Sequence, residues 1–126
     1  MHKTARAGVP LAGEVGAGKG QVTRYTDDER IDLDAIYGLD AVGFRVRGNS
    51  MVDVGILPGD YAVVREQPAA SNGETVVVRT ADGWMLKKIN PETRTIYSGH
   101  GKELWQRKLT DTDRVLGVYL GVVRRA

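Results

Sequence analysis

Cysteine is absent from this 126-residue chain. That excludes disulfides, thiolate catalysis and zinc sites built on cysteine, and it fits a reducing compartment. Histidine occurs only at His2 and His100. A metal centre would need carboxylate partners that the sequence does not point to, so no metal and no cofactor is expected. A Ser-His-Asp triad through His100 has nothing specific in its favour, and both histidines are expected to be exposed. No apolar run approaches the ~18–20 residues that span a bilayer, and Met1 to Pro10 lacks the apolar core of a signal peptide. The expectation is a cytoplasmic protein without membrane contact. Charge of one sign is not in large excess: eighteen basic against sixteen acidic residues give +2. The densest basic spots, Arg124-Arg125 and Lys87-Lys88, make no stripe that tracks phosphates, so no direct DNA binding by this chain is expected. There is also no long helical period, no repeat and no low-complexity tract.

What is present reads as a soluble domain with a modest core, 41% hydrophobic and 27% charged. Residues 1–8 read as a flexible arm. Val9 to Val15 holds a short strand weakened by Pro10 and Gly13. Gly16 to Gly20 is too rich in glycine for a regular element and is expected to be a mobile loop. Gln21 to Tyr25 and Ile31 to Leu33 read as short strands around a charged segment, and Asp34 to Leu39 as one helical turn. From residue 42 the pattern is β throughout, with strands predicted at 42–47, 61–66, 74–80, 83–89, 94–98 and 114–124. Turn signals separate them, and Asp82-Gly83 between apolar runs is a strong hairpin signal. The prediction is a mainly β fold, a single compact domain over 9–126.

Two stretches carry chemistry. Gly48-Asn49-Ser50-Met51 follows a strand-like run, and a glycine there permits a sharp turn that a Cβ would resist. Such a turn presents Ser50 beside free backbone N–H groups able to hold an oxyanion. In Trp84-Met85-Leu86-Lys87-Lys88-Ile89, alternation puts Lys87 with Met85 and Ile89 on one face and Lys88 with Trp84 and Leu86 on the other. A lysine among apolar neighbours loses favour for its charged form, and its neutral amine can take a proton from serine. Periodicity alone does not choose between the two lysines. Gly13 to Gly20 nearly matches a phosphate-binding loop, but Gly20 stands where Ser or Thr is needed and no helix follows. Trp84 and Trp105 read as core or interface residues. The apolar run 115–123 reads as a core strand and a plausible dimer edge.

In register along the chain, Gly48-Asn49-Ser50-Met51, Asp53-Val54-Gly55-Ile56-Leu57-Pro58-Gly59-Asp60, Asn72 to Val78, Leu86-Lys87-Lys88-Ile89 and Val115 to Arg124 closely resemble the LexA/UmuD family. These are the self-cleaving Ser–Lys peptidase domains of SOS repressors, related phage repressors and mutagenesis proteins. The 37 positions from Ser50 to Lys87 are also similar to the family's spacing. The resemblance implies short, strongly bent antiparallel sheets of the LexA/signal-peptidase kind. It implies Ser50 as nucleophile, Lys87 as general base, and the backbone N–H groups of Asn49 and Ser50 as oxyanion hole. It gives the glycine-rich loop a meaning as the self-cleavage region near 13–20, cut between Ala17 and Gly18, where Gly18 lets the chain turn tightly. Its implied partners are a homodimer mate at the C-terminal strand and a RecA–single-stranded-DNA filament that favours the cleavage-competent state.

The sequence also departs from the family. No room is seen for an N-terminal winged helix-turn-helix, so the expectation is an isolated catalytic domain or a short UmuD-like protein. Asn49 stands where Asp is common. Residues 97–109 lack the Asn-Pro-rich stretch frequent in relatives. The alternative reading is a UmuD-like module for dimerisation or polymerase binding, with cleavage incidental or lost. A signal-peptidase-like enzyme shares the Ser-Met and Lys logic but is disfavoured by the missing membrane anchor.

Overall fold

The structure, a computed structural model, describes residues 8–18, 22–24 and 29–126. The predicted arm over 1–8 therefore lies outside the described residues except for Gly8, as do Lys19 and Gly20 of the predicted loop and His2. By its contacts the chain groups into two compact units, meeting in sequence between Leu39 and Asp40.

In the first unit, Pro10 and Gly13 break the stretch 9–15 into two pieces. Strand β1 (Val9–Pro10) and β2 (Gly13–Val15) pair separately, β2 with β3 (Val22–Arg24) and β1 with β4 (Arg30–Ile31), both antiparallel. The Arg30 guanidinium donates to the Gly8 carbonyl at 2.9 Å. The strand expected over 31–33 stops at Ile31, because Asp32 caps a helix instead. Its carboxylate accepts the Asp34 N–H at 3.0 Å, which satisfies a donor that the first helical turn leaves open. The helix α1 (Leu33–Tyr37) ends at Gly38, whose φ of 93° few other residues adopt.

The second unit is one seven-stranded antiparallel sheet. Its strands are β5 (Ala41–Arg45), β6 (Tyr61–Glu66), β7 (Thr75–Thr80), β8 (Gly83–Asn90), β9 (Thr95–Ser98), β10 (Trp105–Lys108) and β11 (Arg114–Val123). Across the sheet they run β10-β9-β8-β7-β11-β6-β5. The mainly β, antiparallel architecture that was expected is the one found. The apolar runs Ala62-Val63-Val64 and Val76-Val77-Val78 are buried at every position, as strands covered on both faces must be. Val76, Val78, Ile89, Ile96 and Val118 close the core. The β7–β8 hairpin turns at Ala81-Asp82, one residue earlier than the Asp82-Gly83 signal, with Gly83 paired to Thr80 at φ 114° and the Thr80 hydroxyl donating to the Gly83 carbonyl at 2.7 Å.

Strand β11 lies between β7, paired along Arg114–Val118, and β6, paired along Gly117–Val123, so among the described residues Gly121 to Val123 have ladder partners in β6 alone. Trp84 and Trp105 are not core residues, being 62% and 37% exposed. Strand β10 was not predicted, since Trp-Gln-Arg-Lys shows no apolar run. It forms by adding to β9 as the outer strand, with four paired positions from Trp105↔Ser98 to Lys108↔Thr95.

Candidate active site

Strand β5 gives way to Val46, whose N–H and C=O bond to Asp60 and Gly59 at 2.8 and 2.9 Å. Gly48 then turns the chain at φ 76°, the left-handed region where a side chain is strained. Ser50 comes out exposed, while Met51, next to it, is 3% exposed and anchors the turn. The Met51 carbonyl accepts from Val54 and Ile56 at 3.2 Å each, and the Asn49 carbonyl accepts from Val52 at 3.3 Å. These bonds wind Val52–Val54 into one 3-10 turn. The backbone N–H groups of Asn49 and Ser50 donate to none of the described residues.

Lys87 reaches this turn from β8. Its strand faces the core with Ile89, and it is 8% exposed, whereas Lys88 is only half-buried. The Lys87 Nζ lies 3.0 Å from the Ser50 Oγ and 3.0 Å from the Ser98 Oγ. It also sits over the Trp105 ring, 4.5 Å from the centroid. Burial pushes the amine below its ordinary value of 10.5, since a low-dielectric site disfavours the charged form. An amine so placed has better access to its neutral state and a hydroxyl within reach, the arrangement that proton transfer from serine needs.

A cleft runs past this pair. Val46, Met85 and Leu86 line both of its halves, with Ser50 and Lys87 in one and Phe44 in the other. Trp84 belongs to both, edge-on to Phe44 at 5.1 Å and 80°. Strand β9 pairs with β8 only from Lys88 onward, so among the described residues Gly83 to Lys87 have ladder partners in β7 alone.

A longer-range contact braces the nucleophile turn. Arg124 donates from Nε and Nη2 to the Asp60 carboxylate at 2.7 and 2.8 Å, and from Nη2 to the Gly55 carbonyl at 2.7 Å. Asp60 also accepts the Leu57 N–H at 2.8 Å.

The structure thus brings Ser50, Asn49 and Lys87 together. Ala17 and Gly18 are exposed in a bend after β2, in the first unit. Gly18 does not take the left-handed φ that a tight glycine turn implies, and a Cβ there would meet nothing within 4 Å. Ser98 was missed. Its one sequence signal was its place two residues after Ile96, on the same buried face. His100 is exposed, its Nδ1 3.6 Å from Asp53.

A model of the family described as Peptidase S24-like matches residues 10–97. The chain belongs to that family. Family membership makes this a serine-peptidase-type domain, and the matched span contains both Ser50 and Lys87. Ser98 and Trp105 lie just beyond it. Among curated relatives, the LexA repressor of Ruminiclostridium cellulolyticum is 33% identical over 120 residues, 93% of this chain and 56% of the relative. The LexA repressor of Shewanella woodyi is 32% identical over 123 residues, 93% and 60% respectively. That of Anaeromyxobacter dehalogenans strain 2CP-1 is 31% identical over 132 residues, 93% and 55%. This S24-like chain therefore spans little more than half the length of the relatives it matches. No helix among its described residues is long and apolar enough to cross a membrane.

Proposed function

We propose that this chain is a LexA-type serine autopeptidase that cuts its own Ala17–Gly18 bond. The observation that carries the reading is the 3.0 Å approach of a buried, pKa-lowered Lys87 amine to Ser50 Oγ. The neutral amine takes the Ser50 hydroxyl proton as Oγ attacks the Ala17 carbonyl carbon. The oxyanion accepts hydrogen bonds from the Asn49 and Ser50 N–H groups. The C–N bond breaks, and the Lys87 ammonium returns its proton to the Gly18 amine. Lys87 then activates water to hydrolyse the acyl-enzyme, releasing residues 1–17 with a new carboxylate. Ser–Lys pairs are a known variant of the Ser-His-Asp arrangement. Because the substrate belongs to the same chain, attack is unimolecular and gains from high effective concentration.

In this reading 9–126 work together as the peptidase and dimerisation region, with the cleavage loop near 13–20. The setting is the cytoplasmic SOS response to DNA damage, where cutting relieves repression by a LexA-type parent. A RecA–single-stranded-DNA filament is the trigger and a second copy of the chain the partner. Since Gly121 to Val123 have ladder partners in β6 alone among the described residues, a dimer built there has one side of the strand's C-terminal end to pair with.

The test is mass spectrometry of the chain after incubation from neutral to alkaline pH, with and without filament, beside Ser50→Ala and Lys87→Ala. A fragment starting at Gly18 that rises with pH and falls at least about a thousandfold in both variants is expected. An intact wild-type mass under every condition overturns the reading and leaves the dimerisation or polymerase-binding module.

A further inference from the structure

We infer that Ser98 and Trp105 are positioning residues, forming a socket that aims the Lys87 lone pair at the Ser50 hydroxyl. The inference rests on the reading of Ser50 and Lys87 as nucleophile and base.

The argument begins with the valences of the amine. A neutral primary amine has one lone pair and two N–H bonds. To act as a base toward Ser50, its lone pair must face Oγ. Both N–H groups then need acceptors elsewhere, because a buried donor left unpaired is costly. The Ser98 Oγ, 3.0 Å away, takes one. The Trp105 ring face, 4.5 Å from Nζ to centroid, takes the other as a weak N–H···π contact. Once the amine gains the proton, it has three N–H bonds and the same three neighbours. The ring then offers cation–π attraction and Ser98 a charge-assisted hydrogen bond. No group has to move during the transfer.

Strand register builds the socket. Ser98 and Trp105 are direct cross-strand partners in the β9–β10 ladder, so their side chains share a face. The β8–β9 ladder pairs Lys88 with Tyr97, which makes Lys87 and Ser98 the next opposed positions. Lys87, Ser98 and Trp105 thus form one row across three strands. Ser98 is 2% exposed and held by its strand, so the oxygen it presents is fixed. A water in that place would not be.

The charged groups carried by the surrounding segments are few. Arg47 lines the cleft wall. Asp53 and His100 pair with each other beside the two loops. Lys102 and Glu103 lie in the turn between β9 and β10, Glu74 precedes β7, and Lys88 points to the other face of β8. Burial is what lowers the Lys87 amine.

The experiment has two arms on the full chain. In the first, self-cleavage is timed across pH for wild type, Ser98→Ala, Ser98→Thr, Trp105→Leu and Trp105→Phe. Ser98→Ala and Trp105→Leu each remove a partner that favours the ammonium, so the pH midpoint moves down. The plateau rate falls about 10- to 100-fold because the lone pair is no longer aimed. Ser98→Thr and Trp105→Phe keep the oxygen and the ring and recover most of the rate. A lowered plateau with an unmoved midpoint shows a merely structural role and overturns the inference, as does wild-type behaviour in both variants. In the second arm, the Lys87 amine is titrated by NMR with isotope-labelled lysine in Ser50→Ala, with and without Ser98→Ala. A downward shift on removing Ser98 supports the socket even if no variant cleaves, a result that sinks only the peptidase reading. An unchanged titration overturns the socket itself.

Discussion

Arg124 grips Asp60 with two hydrogen bonds across 64 positions of sequence, and the loop they close is the one that follows Ser50. The guanidinium, with help from the Leu57 N–H, holds the Asp60 carboxyl at about 2, against its ordinary 3.8. Arg107 does the same for Asp113, also at about 2. A carboxyl whose folded pKa is depressed contributes stability that is fully present above its unfolded value and is lost as pH falls through the folded one. Melting temperature should therefore drop between about pH 4 and pH 2. Asp60→Asn with Asp113→Asn should be less stable at pH 7 and lose most of that acid slope. Thermal melts from pH 7 to pH 2 check it, and an unchanged slope in the double variant refutes the assignment.

Gly117 makes a second, purely steric prediction. A Cβ there would lie 2.5 Å from the Arg65 carbonyl oxygen and 2.5 Å from a Val64 methyl. Backbone oxygen in a sheet cannot step aside. Gly117→Ala should cost about 1–3 kcal/mol in denaturant unfolding. Gly43→Ala is the control, since nothing lies within 4 Å of its Cβ. It should be neutral or stabilise by up to about 1 kcal/mol. Equal effects at the two glycines would show that the close approach is not what matters.

The strands were readable from the sequence wherever apolar alternation met a turn signal, as at Val76 to Ile89 around Asp82-Gly83. The pairing of Ser50 with Lys87 was readable because motif spacing and strand parity agreed, although parity alone left Lys88 open. Burial, which a linear pattern does not contain, separates the two. Strand order was hidden for the same reason. Val115 to Val123 looks alike at an edge or at the centre, and only long-range pairing puts β11 between β6 and β7. Trp105 reads as core or interface because large aromatic residues usually pack on apolar neighbours; it is instead partly exposed and covers an amine. Ser98, before Gly99, looked like the end of a strand rather than part of a site.

Lys87 should be a burden on stability at neutral pH. Its amine is desolvated and its pKa lies below 10.5. Folding therefore disfavours the charged form. That cost is complete below the folded pKa and vanishes as pH rises to the unfolded value. Lys87→Met keeps an unbranched chain of similar length and removes the desolvated charge. It should melt higher than wild type at pH 7, with the advantage shrinking toward pH 10. A variant that melts lower at pH 7 would mean that the bonds to Ser50 and Ser98 outweigh desolvation.

Trp84 tests whether the cleft is the path of the substrate. Its ring meets Phe44 edge-on but is 62% exposed, so little burial is lost on removing it. An aromatic pair of this kind is worth about 0.5–1.5 kcal/mol beyond its area. Trp84→Ala should stay folded, with a loss inside that range. Yet it removes a wall shared by both halves of the cleft, along an edge of β8 that an extended peptide can join by backbone pairing. Self-cleavage should slow about tenfold or more, and Trp84→Phe should restore most of it, because a ring again faces Phe44. Since the row of Lys87, Ser98 and Trp105 is untouched, the pH midpoint of cleavage should not move. Timed cleavage of the two variants, beside their thermal melts, separates binding from stability. A Trp84→Ala chain that cuts at the wild-type rate would show that the scissile segment reaches Ser50 by another route.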